Sequence, residues 1–172
     1  MKVTIETPRL LLRPWNIEDA EAMFSTWAND PEVTKFLTWN AHESVEITKM
    51  IVSTWIEQYR EKERINFAIV LKQTNALIGG IDVVKYIDGV PVIGYVSGKA
   101  YWGNGYMTEA CKCVLKFLKE QGFRQARIDA CVDNIGSNRV IQKCGGVLER
   151  TEQNERPLRN DAVMVNRYII NL

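Results

Sequence analysis

Between a run of alternating apolar residues, Val92 to Ser97, and a strongly amphipathic segment, Met107 to Leu118, the chain inserts Ala100-Tyr101-Trp102-Gly103-Asn104-Gly105-Tyr106-Met107-Thr108. Strand, glycine-containing loop and helix in that order restrict the possible folds more than anything else in the sequence. A helix entered from such a loop leaves its first N–H groups unpaired, and its dipole favours an anion there. The glycines let the backbone come close to a ligand and adopt conformations barred to residues with a Cβ, so the loop can form a concave nest of donors. Phosphate is the ligand this arrangement predicts, with a plain turn as the competing explanation. The helix is the clearest in the chain. Met107, Ala110, Cys111, Val114, Leu115 and Leu118 fall at i, i+3, i+4, i+7, i+8 and i+11, and Gly122 stands where a terminating glycine belongs.

The rest of the chain alternates between the two hydrophobic periods. Thr4 to Trp15 reads as one opening strand. Asn16 offers an N-cap, paired in the manner of a capping box with Asp19, to a helix carrying Ile17, Ala20, Met23, Phe24 and Trp27 until Asn29-Asp30-Pro31 stops it. A linker with an aromatic character, Phe36 to Trp39, leads to a longer helix from about Glu43 to Arg60. The period then changes to two. Phe67 to Leu71 and Leu77 to Tyr86 form a meander across Gln73-Thr74-Asn75, and Asp88-Gly89 turns into Val92 to Ser97. After the phosphate-loop helix come a strand (Ala126 to Asp133), a short helix (Ser137 to Lys143), a break at Gly145-Gly146, and strands at Val147 to Glu152 and Ala162 to Ile170. The order is strand, two helices, three strands, helix, strand, helix, two strands, an α/β mixture with a largely antiparallel start.

At 172 residues the chain holds one ordinary domain and one core. Twenty-two basic and 21 acidic residues leave a formal charge of +1, without the basic patch that nucleic-acid binding requires. No apolar run approaches the roughly 18–20 residues that span a bilayer, and Met1 to Glu6 lacks signal-peptide character, so the cytosol is the expected location and no membrane partner is expected. Cys111, Cys113, Cys131 and Cys144 form no Cys-x-x-Cys pair, and Cys111 and Cys113 face opposite sides of their helix. They read as reduced packing residues, and no metal is expected.

The loop resembles the GNAT superfamily of N-acetyltransferases, whose pyrophosphate loop reads Gln/Arg-x-x-Gly-x-Gly/Ala; the corresponding residues are Ala100, Gly103 and Gly105. Ala100 departs from that pattern. Trp102-Gly103-x-Gly105-Tyr106 followed by Thr108-Glu109-Ala110, with Ile93-Gly94-Tyr95 upstream, is similar to the RimJ/RimL-like branch of ribosomal-protein N-terminal acetyltransferases. Thr7-Pro8-Arg9-Leu10, Asp30-Pro31-Glu32-Val33, Ile78-Gly79-Gly80-Ile81 and the stretch Asp133 to Gly146 match in the family order. The resemblance implies the GNAT acyl-CoA N-acyltransferase fold: a mostly antiparallel sheet in which the parallel strands Val92–Ser97 and Ala126–Asp133 splay apart around a pantetheine arm. It implies acetyl-CoA as cosubstrate, held by Tyr95, Val96, Trp102, Gly103, Asn104, Gly105, Tyr106, Met107, Thr108, Asn134, Ser137 and Arg139, with backbone near Val96 as oxyanion donor. Asn134 or Ser137 can equally cap the short helix they precede.

The implied reaction is direct acetyl transfer to a primary amine in a ternary complex. Many relatives carry a proton-donating Tyr where this chain has Ile141, and some place a Glu base where it has Val92. Ser137, with Asn134 beside it, becomes the catalytic candidate, and no base is evident. An α-amine near pKa ~8 costs only about 1–1.5 kcal/mol to deprotonate at pH 7, against about 4–5 kcal/mol for a lysine near ~10.4. A peptide or protein N-terminus is therefore the expected acceptor, for a monomer or homodimer. A small-molecule amine or antibiotic acetyltransferase is one alternative, and an acetyl-CoA sensor without catalysis another. A dinucleotide-binding oxidoreductase, with Asp129 as ribose ligand, fails because Thr108 occupies the third glycine position and some 90 residues precede the motif. His42 reads as a surface or capping group, with a base as the alternative; Glu109 reads as a first-turn carboxylate favoured by the dipole; and Glu149 to Asp161 reads as a solvated hairpin that in this fold can border the acceptor groove. Trp27, Trp39 and Trp55 read as core and covering loop, with lining of the acceptor pocket as the alternative. Asp82 faces either cleft or solvent, which sequence leaves open.

Overall fold

A computed structural model describes residues 3–61 and 64–172. The opening segment is two strands, β1 (Ile5–Glu6) and β2 (Leu10–Arg13), not one. Pro8 has no N–H to offer a ladder, and the Thr7 hydroxyl accepts the Leu10 N–H at 2.9 Å, closing a turn at this point. The first helix is also broken. α1 (Asp19–Met23) passes into a π-helical turn over Phe24–Ala28, which puts both Trp27 and Ala28 fully in the core. Asn16 is not the N-cap, which is Glu18. Only half of the capping-box pair forms, the Asp19 carboxylate accepting the Asn16 N–H at 2.8 Å while also gripping Arg13 at 2.7 and 2.8 Å.

Asp30 and Pro31 start a helix as well as ending one. The Asp30 side chain accepts the Glu32 N–H at 2.8 Å, and Pro31 fills the first turn of α2 (Pro31–Thr34), where a missing N–H costs nothing. α3 (Val45–Glu61) follows, then β3 (Asn66–Leu71), β4 (Ala76–Ile87) and β5 (Val90–Ser97). Their hairpin turns carry the left-handed residues Asn75, Asp88 and Gly89. α4 (Tyr106–Glu120), β6 (Gln125–Cys131), α5 (Ile135–Lys143), β7 (Val147–Arg156) and β8 (Asp161–Asn171) complete the chain.

Among the described residues the strands form one sheet in the order β1-β2-β3-β4-β5-β6-β8-β7. Every neighbouring pair is antiparallel except β5–β6, as the resemblance implied. Alternation along the strands divides the core in two. Phe67, Ile69, Ile81, Ile93 and Ile128 face α4 and α5, whose buried Ala110, Val114, Leu118 and Ile141 pack on them. Ala68, Val70 and Leu77 face the other way, against Trp15, Ala20, Met23, Trp27 and Val52. All four cysteines are free. Cys111 and Cys144, distant in sequence, meet thiol to thiol between α4 and α5, a contact that raises Cys111 and lowers Cys144.

Candidate active site

Parallel pairing between β5 and β6 is confined to Val92 with Arg127 and Ile93 with Ile128. Beyond that point β5 runs on to Ser97 and β6 to Cys131 with no further pairing between them among the described residues, so the sheet opens. The β4–β5 ladder decides which backbone groups face this opening. Gly98 donates to Ile78 at 3.0 Å, and in an antiparallel ladder the same side recurs every second residue, so Val96 and Gly94 bond to β4 through Gly80 and Asp82. The N–H and C=O groups of Tyr95 and Ser97 point into the opening instead. The Ser97 carbonyl is taken there by the indole N–H of Trp102 at 2.9 Å.

At one mouth of the opening lies the loop into α4. Gly103 and Gly105 both sit at φ 76°, left-handed geometry that a Cβ would strain, and Gly105 is the N-cap. Among the described residues the N–H groups of 103–108 meet no acceptor, whereas the Glu109 N–H already bonds the Gly105 carbonyl at 3.0 Å. Asn104 braces the loop from within, its amide donating to the Trp102 carbonyl at 3.0 Å. Tyr106 and Met107 are half-buried against the core, and the Thr108 carbonyl accepts from Cys144.

Sequence reasoning matched Arg9 to the family pattern but gave it no role. Its Nε donates to Glu109 at 2.7 Å, its Nη1 to the Asn104 carbonyl at 2.9 Å, and its guanidinium lies 4.6 Å from the centre of the Tyr106 ring. The remaining Nη2 edge stands beside Gly105. Glu109 is the structural carboxylate expected. Burial opposes its ionisation, but hydrogen bonds from the Thr7 hydroxyl and from Arg9 hold its pKa below the ordinary value.

At the start of α5, Asn134 is the N-cap, its side chain accepting the Ser137 N–H at 3.1 Å. The Ser137 hydroxyl turns toward β5 and lies 2.9 Å from the Tyr95 hydroxyl. Burial pushes the Tyr95 phenol far above its ordinary pKa, so it stays protonated. Asn138 is a structural hub, donating to the Cys131 carbonyl and accepting from Tyr168 and Asn166. Ile141 is wholly buried core. Arg139 is exposed on α5 and lies outside the cavity wall that Tyr95, Val96, Asn134 and Ser137 share.

That cavity, about 670 Å³, extends from the opening to the face of the sheet beneath α1 and α3. Trp15, Trp27, Trp39 and Trp55 line it as well as belonging to the core, and Trp15 ties Trp27 and Trp55 together at ring separations of 6.2 and 5.0 Å. Asp82 faces this cavity, settling the choice left open, and pairs with Arg64 at 3.1 Å. His42 also lines it, tilted against Trp39 with ring centres 5.0 Å apart and Nδ1 2.7 Å from Thr48 Oγ1; burial lowers its pKa.

The hairpin at the far end is not merely solvated. Arg156, only 5% exposed, grips Asp161 at 2.7 and 2.5 Å and donates to the carbonyls of Lys35 and Leu37 at 2.8 and 3.1 Å. Arg159 donates to the carbonyls of Thr34 and Trp39. The β7–β8 turn is thus bolted to the aromatic linker over the cavity. Among the described residues no group of three or more His, Cys, Asp or Glu could hold a metal ion, and no helix is long and apolar enough to cross a membrane.

Comparison with known proteins agrees with this geometry. The Acetyltransferase (GNAT) domain profile matches residues 9–147. The chain is 34% identical over 148 residues to the uncharacterized N-acetyltransferase YoaA of Bacillus subtilis, covering 82% of this chain and 81% of that one. A GNAT-family acetyltransferase from Bacillus anthracis superposes with a TM-score of 0.85 at 27% identity over 98% of both chains. The Salmonella typhimurium acetyl transferase that modifies the N-terminal serine of 50S ribosomal subunit protein L7/L12 shares the fold, with a TM-score of 0.85 at 22% identity over 99% of both chains. With its glycine loop, splayed parallel strands and nearly full-length match, this chain belongs to the GNAT family of acetyltransferases.

Proposed function

We propose that this acetyltransferase moves the acetyl group of acetyl-CoA to the α-amine of a peptide or protein N-terminus. The observation that carries the reading is the opening beyond Ile93 and Ile128, with unpaired loop N–H groups at one mouth and an aromatic cavity holding a carboxylate at the other. The residues fit the donor. Loop N–H groups from Gly103 to Thr108, with Trp102 bracing β5 and the free edge of Arg9 alongside, form a cradle for a diphosphate. Arg139 supplies an exposed cation farther along α5. Bound acetyl-CoA supplies an acetyl group activated as a thioester.

The chain's own residues account for the rest. The N–H groups of Tyr95 and Ser97 face the opening and stabilise charge developing on a carbonyl oxygen there, a role their backbone is better placed to fill than that of Val96. When Tyr95 donates to Ser137 Oγ, the serine O–H is free to give its proton at the sulfur position. Asn134 sets the serine by holding its N–H. The α-amine is favoured because it is far easier to deprotonate than a lysine side chain, by about 3 kcal/mol. The ribosomal-protein specificity of the Salmonella neighbour points the same way.

The test presents purified protein and acetyl-CoA with peptides carrying a free N-terminus, an acetylated N-terminus with a free lysine, and small primary amines, reading released thiol. Free N-termini are expected to be acetylated most efficiently. Efficient acetylation of lysine side chains with none of N-termini would overturn the assignment.

A further inference from the structure

On the cavity side of the sheet the side chains of Asn66, Asp82, Asp129 and Arg167 lie in one row across β3, β4, β6 and β8, interrupted at β5 by Gly94. Asp82 is directly opposite Gly94 in the ladder. A Cβ at Gly94 would come within 2.7 Å of Val84 Cγ1 and 3.4 Å of Asp82 Oδ1. With no Cβ at Gly94, Oδ1 lies over β5 beside the Val84 methyl, one residue from Tyr95, whose backbone faces the opening. The other oxygen, Oδ2, is held by Arg64 at 3.1 Å, while Oδ1 has no hydrogen-bond partner among the described residues. The side chain is 20% exposed, and that exposure is to the cavity.

We propose that Asp82 is the catalytic base of this enzyme, its Oδ1 taking the proton of the acceptor ammonium over Gly94. This rests on the reading of the cavity as the amine's side of the transfer. The ammonium N–H bond breaks, the proton moves to Oδ1, and the electron pair stays on nitrogen for attack on the acetyl carbon. As the C–N bond forms and the C–S bond breaks, nitrogen gives up a second proton. The first proton leaves Asp82 to solvent through the cavity mouth; Ser137 gives its hydroxyl proton to the departing sulfur, and the second proton lost by nitrogen returns through solvent to the serine, so that carboxylate and hydroxyl are both regenerated.

The charged groups around Asp82 separate it from its rivals. Burial raises its pKa, with Arg64 opposing, so the carboxylate is a stronger base than an exposed one. Tyr59 faces it from α3, Lys85 lines the cavity from the same strand, and His42 does so from the loop before α3. Asp129 lies across the gap but is bound by Arg167, which also holds Glu152 at 2.6 Å and Asn154 at 3.0 Å.

The test compares wild-type protein with Asp82→Asn, using acetyl-CoA and the amine panel above. Asp82→Asn is expected to lower kcat/KM for the amine by about 100-fold or more at pH 7, with acetyl-CoA Kd within twofold and Tm not lowered. The acidic limb of the kcat/KM profile should vanish in Asp82→Asn, and formate should partly restore Asp82→Ala. A rate within threefold of wild type, or an acidic limb that persists in Asp82→Asn and disappears in His42→Gln, overturns the proposal. A wild type that acetylates lysine but no N-terminus defeats the acceptor reading while leaving the Asp82 comparison intact. A further measurement needs no turnover: the carbon-13 titration of the Asp82 carboxyl with coenzyme A and a saturating free-N-terminus tripeptide. Its midpoint should fall when the tripeptide is added, and an unmoved midpoint overturns the proposal.

Discussion

Gly105→Ala tests whether loop N–H groups, not side chains, hold the diphosphate. Gly105 is the N-cap of α4 at φ 76° and ψ 6°. A side chain in this left-handed geometry costs roughly 1–2 kcal/mol. Space does not add to that, because the nearest atom to the new Cβ is Arg9 Nη2 at 3.6 Å, an ordinary contact. At about 2–4 °C per kcal/mol for a chain this size, Tm should fall by about 2–8 °C. Gly89→Ala is the matched control. Gly89 lies at φ 77° in the hairpin between β4 and β5 with nothing within 4 Å of the added Cβ, so its backbone cost is the same and its distance from the loop removes any effect on the cofactor. In Gly105→Ala the strained peptide can relax only by turning donors away from the nest. Losing one hydrogen bond to a charged oxygen, about 1.5–3 kcal/mol, raises the acetyl-CoA Kd roughly 10-fold to 150-fold. Thermal unfolding and titration calorimetry on the pair measure both quantities. Equal Tm losses with equal, wild-type-like Kd values would refute the main-chain cradle.

Arg9→Ala should raise the KM for acetyl-CoA about threefold to tenfold while costing at most about 1 kcal/mol of stability, since its ion pair with Glu109 is half-exposed; steady-state kinetics and denaturant melts check this. Ser137→Ala and Tyr95→Phe should each lower kcat by about 10-fold or more with acetyl-CoA affinity unchanged, measured by thiol release and calorimetry. Because the folded-state pKa of Glu109 is depressed, its contribution is present at neutral pH and lost as pH falls from about 4.3 through that lower value; Glu109→Gln should therefore show a smaller Tm loss than wild type between pH 5 and 3. Arg156→Met leaves two backbone carbonyls without their buried donor, a loss of about 2–4 kcal/mol by chemical denaturation. It should raise the KM for the acceptor more than that for acetyl-CoA, because the hairpin it anchors lies over the cavity proposed to take the acceptor.

Local geometry was legible in the residues themselves. The α4 periodicity, the Asp88-Gly89 turn and the left-handed glycines of the loop before α4 depend on contacts within a few positions, and one stretch of sequence specifies them. Where short-range signals competed, the reading was incomplete: Pro8 split a strand, and Pro31, which does stop the first helix, also begins the next. The partners that make a site lie far apart in the chain, and only sheet register brings them together. Arg9 meets Glu109 because β2 runs past the start of α4, and Tyr95 meets Ser137 because α5 returns over the opened edge of β5. In sequence Asp82 reads as a mid-strand residue facing cleft or solvent, and Arg156 as one charge in a solvated hairpin. Strand pairing turns one into a cavity and buries the other beneath a linker more than a hundred residues away, since a side chain's environment is set by what the fold stacks on it and not by its neighbours in the chain.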